Sequence, residues 1–264
     1  MAELDWGRAR KVTLWTYEEL IGKLQTVMAY ALVREHYDHD LHQAIQYTRA
    51  IKSGYLWNEG SKLAYVEEMS RHLARLGQLG VGSYRDLLRR VGSRDSCRVF
   101  LATTHFDFEA LLQVLNYLLR WVLPFEAPLR QFMDTEVESE CKLLAALKEL
   151  GITANLALLE AGRRPEGRAR LVKATKGGVR RITAWVHRAD LSRLAYVRGR
   201  TVQHLCGGGF DTLDKLARAD LEKMERKMAA YYATLGKTLR DFSAAVPLKW
   251  MIGGARTVPR VVEE

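Results

Sequence analysis

The sequence predicts an all-α protein, and three observations support that class. Apolar residues recur at the spacing of one helical face: Leu20, Leu24, Val27, Met28 and Ala31 stand at positions i, i+4, i+7, i+8 and i+11. Only five prolines interrupt the 264 residues, so helices can form almost everywhere. No alternating apolar run flanked by hairpin dipeptides indicates a β-strand.

Taken in chain order, the elements repeat this helical pattern. The stretch YEELIGKLQTVMAYALV forms the first amphipathic helix, and the most apolar stretch, ALLQVLNYLLRWVLPF from Ala110, predicts a buried central helix because it is too short to span a bilayer. A further helix, LRQFMDTEVESECKLLAALKELG, should end at Gly151 as a C-cap. The tail after Pro247 carries a glycine pair and scattered charges, so we expect a loosely held segment.

Composition indicates a globular protein of the cytoplasm. The chain is 48% apolar and 27% charged, which is ordinary for a folded domain. Its three cysteines are odd in number and contain no C-x-x-C pair, which argues against a disulfide framework and a zinc knuckle and favours a reducing compartment. The first residues, MAELDWGRARKV, lack the apolar core of a secretory signal. We therefore expect no membrane association.

An internal repeat organises the middle of the chain. LGVGSYRDLLRRVGSRDSCRVFLATT from Leu79 and LGITANLALLEAGRRPEGRARLVKAT from Leu150 share a leading LG, paired leucines, a glycine and a closing threonine. A third, partial copy, GGGFDTLDKLARADLEKM, repeats the front of the unit. Neighbouring copies of a helical repeat bury each other's apolar faces, so we expect equivalent leucines to be buried. Chance recurrence of leucine and glycine is the alternative.

A family resemblance rests on two of these stretches. GFDTLDKLARADLEKM is similar to the element that follows a helix-hairpin-helix module, and LLEAGRRPEGRARLVKAT with WVHRADLSRL resembles domain-of-unknown-function family 4332 of bacteria and archaea, over residues 80 to 230. The resemblance implies degenerate helix-hairpin-helix units without an established activity. We divide the chain into an N-terminal helical region (1–78), a first repeat (79–150), a second repeat with the helix-hairpin-helix-like element (151–246) and a C-terminal tail (247–264).

The helix-hairpin-helix-like element departs from its usual form at two places. Residues 194–205, LAYVRGRTVQHL, keep the apolar positions, but Tyr196 and Arg198 stand where glycines usually let backbone amides approach a phosphate. A Cβ resists positive φ and blocks close approach, so an amide cradle is disfavoured. Arg198 and Arg200 can still hold a phosphate through their guanidinium groups. A packing element is the alternative.

A basic block carries the whole net charge of +10. Residues 163–200 contain twelve basic residues against Glu166 and Asp190, and alternating apolar residues indicate a folded cationic surface rather than a disordered tail. Such a surface attracts phosphates or an acidic protein. The nucleic-acid-binding residues predicted from this block are Arg163, Arg164, Arg168, Arg170, Lys173, Lys176, Arg180, Arg181, Arg198 and Arg200.

A second candidate site lies in REHYDHDLHQ, residues 34–43. On a continuous helix Glu35, His39 and His42 stand at i, i+4 and i+7, a spacing that can present metal ligands. An exposed helix with histidine–carboxylate pairs is the interpretation we favour. No Walker loop, G-x-S-x-G elbow or H-E-x-x-H is present, so no catalytic residue, metal or cofactor is predicted.

These patterns together favour a non-enzymatic protein that binds nucleic acid, DNA or RNA, through backbone phosphates without base specificity. Two alternatives stay open. One is a scaffold whose basic face meets an acidic protein partner. The other is a metal-dependent helical enzyme centred on Glu35, His39 and His42.

Overall fold

The structure is a computed structural model that describes residues 4–51, 60–132, 137–243 and 247–264. Over these residues the chain forms seventeen α-helices and no β-strand, which confirms the all-α class. None of the described helices is long and apolar enough to cross a bilayer. The chain divides into two compact units, Met1–Pro124 and Phe125–Glu264, so the boundary between them falls within the predicted first repeat.

The first unit is built around a central apolar helix. Its helices are α1 (Arg8–Thr13), α2 (Tyr17–Ala29), α3 (Ala31–His36), α4 (Leu41–Ile51), α5 (Gly60–Gln78), α6 (Tyr84–Arg90), α7 (Arg94–Thr104) and α8 (Phe108–Tyr117). Helix α8 continues as a π-helical turn over Leu118–Val122 and packs against α1, α2 and α5. Leu111, Leu112, Val114 and Leu115 are fully buried, as predicted for the central helix.

The second unit contains the basic block. After a short 3-10 turn at Leu129–Phe132 it comprises α9 (Glu138–Glu149), α10 (Asn155–Gly162), α11 (Pro165–Thr175), α12 (Val179–Leu191), α13 (Gly199–Gly207), α14 (Leu213–Ala217), α15 (Leu221–Thr234), α16 (Leu239–Ser243) and α17 (Leu248–Thr257). Helix α12 packs against α10 and α11, and its Ile182, Trp185 and Val186 are buried.

Four helix ends share one kind of turn. Gly80, Gly151, Gly209 and Gly236 adopt φ between +66° and +85°, the left-handed region that glycine reaches without a steric penalty. In each turn the amide after the glycine donates to the carbonyl five residues earlier, at 2.8–3.1 Å. This geometry satisfies carbonyls that a helix end otherwise leaves open. The predicted C-cap at Gly151 is therefore confirmed, and the larger repeat stays a prediction.

Leucines at matching positions of the two predicted repeats are buried. Leu88, Leu101, Leu158, Leu159 and Leu171 expose between 0% and 8% of their surface. The expectation that these positions face the interior is confirmed. Leu158 and Leu159 lie on α10, which packs between α11 and α12.

The expectation of a loosely held C-terminal tail is wrong. Residues 248–257 form α17, which packs against α14 and α15. Met251, Ile252 and Ala255 are buried there, together with the pair Gly253 and Gly254. The glycine pair suggested a loop, but residues without side chains also suit a helix that lies close to its neighbours.

Two carboxylates close the turn before α6. Asp86 accepts hydrogen bonds from the Gly82 amide at 3.0 Å, from Arg90 Nε at 3.0 Å and from Arg89 Nη2 at 2.6 Å. Burial raises the pKa of Asp86, but these three bonds outweigh it and lower the pKa to about 2. Asp38 accepts from the Arg85 amide at 2.9 Å. The Asp86 amide donates to Ser83 Oγ at 3.3 Å, so the Arg85 and Asp86 amides are both satisfied within the fold.

Leu159→Ala should lower the free energy of unfolding by roughly 2–5 kcal/mol, because it opens a cavity at a fully buried position. Urea denaturation at constant pH measures the change. Leu150→Ala is the matched control, since Leu150 is 46% exposed and its truncation should cost under about 0.5 kcal/mol. Equal costs for the two variants would contradict the buried position of α10.

Asp86→Asn should destabilise the protein at neutral pH and much less at low pH. A carboxyl whose pKa is depressed on folding stabilises the folded state above its unfolded pKa of about 4, and that contribution disappears as pH falls toward 2. The upper bound is about 2 kcal/mol. Denaturation of the unchanged protein and of Asp86→Asn at pH 7 and pH 3 measures the difference in unfolding free energy. An equal difference at the two pH values would contradict the lowered pKa of Asp86.

Candidate nucleic-acid interface

Helices α11 and α12 form a hairpin that starts at Pro165 and turns at residues 175–178. Pro165 starts α11 at a position where its missing amide hydrogen is not needed. Lys176 ends α11 with φ of +53°, and the Gly177 amide donates to Thr175 Oγ1 at 3.2 Å. Gly178 then begins α12 without a side-chain cap. The first amides of α12 are thus not capped by a side chain, which suits a nearby anion.

Two glycines hold the hairpin tightly against α10. A Cβ built on Gly167 would lie 2.1 Å from the Ala161 carbonyl oxygen, and one on Gly162 would lie 2.6 Å from Val186 Cγ2. Both distances are shorter than real Cβ contacts, so only glycine permits this approach. Leu171 and Ile182 fill the interior of the hairpin. The polar side chains are thereby left to the outer surface.

Five of the ten predicted residues are exposed on this hairpin, and we call them the basic hairpin residues: Arg170, Lys173, Lys176, Arg180 and Arg181. Within the described part of the chain, none of their side chains makes a hydrogen bond or an ion pair. Of the acids in the hairpin, Asp190 is buried beside Arg193, and Glu166 is exposed. The outer surface of the hairpin is consequently cationic.

The predicted residues at the α10–α11 turn are engaged with the C-terminal segment. Arg164 pairs with the Glu263 carboxylate at 3.3 Å, and Arg168 donates to the Glu263 carbonyl at 2.7 Å and to the carbonyls of Gly162 and Arg163. The Glu263 amide in turn donates to the Arg163 carbonyl at 2.9 Å. These contacts close the end of α10, so the Arg168 side chain and the Arg163 carbonyl act within the fold, and Arg164 is held in a surface ion pair.

Two further arginines of the basic block are internal. Arg193 is fully buried, where it pairs with Asp190 and donates to the Pro259 carbonyl at 3.0 Å. Arg188 pairs with Glu140 at 2.7 Å and donates to the Phe132 carbonyl. Charge counted along the sequence therefore overstates the charge that this unit presents to solvent.

In the turn between α12 and α13, a residue other than glycine adopts the left-handed backbone conformation. Tyr196 adopts φ of +61° and is 39% exposed, so the side chain points away from the packed turn. Arg198 folds inward, donates to the carbonyls of Ser192, Leu194 and Val197, and lies 4.5 Å above the Phe125 ring. Burial lowers the pKa of the Arg198 guanidinium to about 10.

The start of α13 is covered by the chain itself. A Cβ on Gly199 would lie 2.4 Å from the Gln131 carbonyl oxygen, and Gln203 Nε2 donates to that oxygen at 3.3 Å. The first residue of α13 therefore packs directly against the 3-10 turn Leu129–Phe132. Arg200, one residue on, is exposed. Arg164 is exposed as well but pairs with Glu263, whereas Arg200 makes no hydrogen bond or ion pair with a described residue.

The glycine run at 207–209 serves packing and a turn. A Cβ on Gly207 would lie 2.3 Å from the Tyr231 ring, and one on Gly208 would lie 2.2 Å from Met228 Sδ. These contacts bring α13 and α15 close together, while Gly209 makes the left-handed turn. The expected helix C-cap is observed.

The predicted metal-ligand spacing does not form. Helix α3 ends at His36 and α4 begins at Leu41, so Glu35, His39 and His42 do not share one helical face. The helix assumed over residues 34–43 is wrong because the chain turns at Tyr37–Asp40. Burial lowers the pKa of His39. Among the described residues, no group of three or more His, Cys, Asp or Glu side chains could hold a metal ion.

Gly199→Ala should lower the free energy of unfolding by about 1–3 kcal/mol, because its methyl group would meet the backbone oxygen of Gln131. Thermal and urea denaturation measure the loss. Gly22→Ala is the contrasting variant: it lies inside α2 with open space around the position, so the alanine should stabilise by about 0.5–1 kcal/mol. A neutral Gly199→Ala would show that α13 is free to move from Gln131.

Comparison with known proteins finds one family model that is similar to part of the second unit. Residues 138–250 match the family model of a domain of unknown function (DUF4332), a match that spans α9 to α16 and includes the basic hairpin residues. No curated protein and no solved structure matches the chain. Residues 138–250 of this chain are therefore similar to the DUF4332 domain.

Proposed function

We propose that the protein binds nucleic acid through backbone phosphates, with the basic hairpin residues as the contact surface. One observation carries the proposal: five exposed cations on one helical hairpin have no partner within the described part of the chain. Unpaired exposed charge suits a polyanion, because no internal ion pair has to break before a phosphate binds.

The chemistry of the surface favours binding without base specificity. Arginine and lysine contacts to phosphate position a protein on the backbone, whereas sequence is read by groups that reach base edges. The basic hairpin residues are long, flexible cations, and the amides at the start of α12 add a weak positive field. Arg200 lies outside the hairpin on α13 and is a further contact candidate, whereas Arg163, Arg164, Arg168 and Arg198 are left out of the surface.

The test is a salt series of binding to labelled double-stranded DNA, single-stranded DNA and double-stranded RNA of unrelated sequences. If all five basic hairpin residues contact phosphates, log K against log salt should have a slope of about −4 to −5 on duplex DNA. Arg180→Ala and Arg181→Ala should each reduce the slope by about one and weaken all sequences equally. Arg200→Ala shows whether the surface extends to α13.

Arg226→Ala is the matched control, because it removes the same charge from an exposed position on α15, next to the exposed Glu222 and Glu225. It should leave the slope unchanged within error. Absence of binding at low salt would overturn the proposal, and so would equal losses for Arg226→Ala and the hairpin variants. In the first case the cationic hairpin would fit an acidic protein partner better.

A further inference from the structure

A cleft in the first unit lies between the C-terminal end of α2 and α6, with Arg34 and Asp38 beside them. Its volume is about 710 Å³. Clefts that bind drug-sized molecules in proteins span about 300–1,000 Å³. The cleft therefore has room for a small organic molecule, and it lies in a different compact unit from the basic hairpin residues.

The lining combines an apolar floor with a charged rim. Met28 and Leu88 are 6% and 4% exposed and supply the apolar surface. Arg34, Arg85 and Arg89 contribute guanidinium groups to the rim. Such a lining suits a ligand with an apolar body and a charged group at one end, because each part meets a surface of its own kind.

Most of the charges around the cleft already have partners. Asp86 accepts from Arg89, Arg90 and the Gly82 amide, so its negative charge is neutralised. Arg34 donates to the carbonyls of Met28 and Ala29, which closes the end of α2.

Arg85 is the exception on the rim. Its amide donates to Asp38, but its guanidinium makes no hydrogen bond or ion pair with any residue that the structure describes. In the first turn of α6 the Arg85 amide donates to Asp38 and the Asp86 amide to Ser83 Oγ, so neither is open to an anion. An anion that enters the cleft would meet the guanidinium of Arg85 as its available partner.

We propose that this cleft binds a small organic anion, in which a phosphate or carboxylate group pairs with Arg85 and an apolar body covers Met28 and Leu88. The guanidinium group matches both anions because it presents two parallel N–H donors. Three guanidinium groups against Asp38 and Asp86 leave a single net positive charge in the lining. That balance fits an anion of one or two charges better than a polyanion, whose many phosphates the two carboxylates would repel.

The experiment uses the full chain and three pairs of probes: phenyl phosphate with phenol, adenosine monophosphate with adenosine, and benzoate with benzamide. Calorimetry measures affinity, and ¹³C-methyl spectra of the methionines locate binding. At least one anion should bind ten times or more tightly than its uncharged parent. It should shift the Met28 methyl resonance and leave that of Met69, buried in α5, unchanged. The phosphate and carboxylate probes distinguish the two anion classes.

Arg85→Gln should weaken that anion at least tenfold and leave the circular dichroism spectrum unchanged, because the Arg85 side chain is exposed. Arg71→Gln, an exposed arginine on α5 outside the cleft, is the matched control and should bind like the unchanged protein. The proposal is overturned if no anion binds at up to about 10 mM. It is equally overturned if Arg85→Gln binds normally or if the shifted resonance is not that of Met28.

Discussion

The closure of helix ends is the constraint on which the rest of this structure depends. Most of the seventeen helices are short, and every helix end leaves amides or carbonyls without an intrahelical partner. Glycine turns close four of the C-terminal ends, and arginine side chains close others. Arg34 bonds to the carbonyls at the end of α2, Arg168 to those at the end of α10 and Arg256 to the Ala217 carbonyl at the end of α14. The arginine content thus serves the fold before it serves any ligand.

Some arginines close helix ends and others face solvent, and for this reason the sequence predicted only part of the interface. The count of basic residues in 163–200 treats every arginine alike. Arg170 and Arg181 lie on the outside of the hairpin, whereas Arg193 and Arg198 are turned toward carbonyls and a carboxylate inside the fold. Local sequence does not distinguish the two groups, because some of the carbonyls that receive an inward arginine come from distant residues: Arg193 donates to Pro259 and Arg168 to Glu263.

Periodicity predicted more of the fold than of the site. The all-α class, the buried central helix and the buried leucines depend on which residues are apolar, and that pattern is local. The errors lie at breaks between helices. The chain turns at Tyr37–Asp40 although histidines and carboxylates are spaced there as on a helix, and α17 forms across Gly253 and Gly254. Tertiary packing decides such breaks, so propensity alone misplaces them.

The two proposed binding surfaces differ in how far the fold has already neutralised their charges. In the α2–α6 cleft Asp86 pairs with Arg89, Arg34 donates to backbone carbonyls, and the Arg85 guanidinium is left beside an apolar floor. On the α11–α12 hairpin five cations make no ion pair with a described residue, and Leu171 and Ile182 are buried inside the hairpin. A nearly neutral concave site selects a ligand by shape and one ion pair, whereas a convex cationic surface selects by charge density. Under these two proposals, one surface suits a small anion and the other a polyanion. The loss of binding free energy when a single arginine is removed should therefore depend on ionic strength far more at the hairpin than in the cleft.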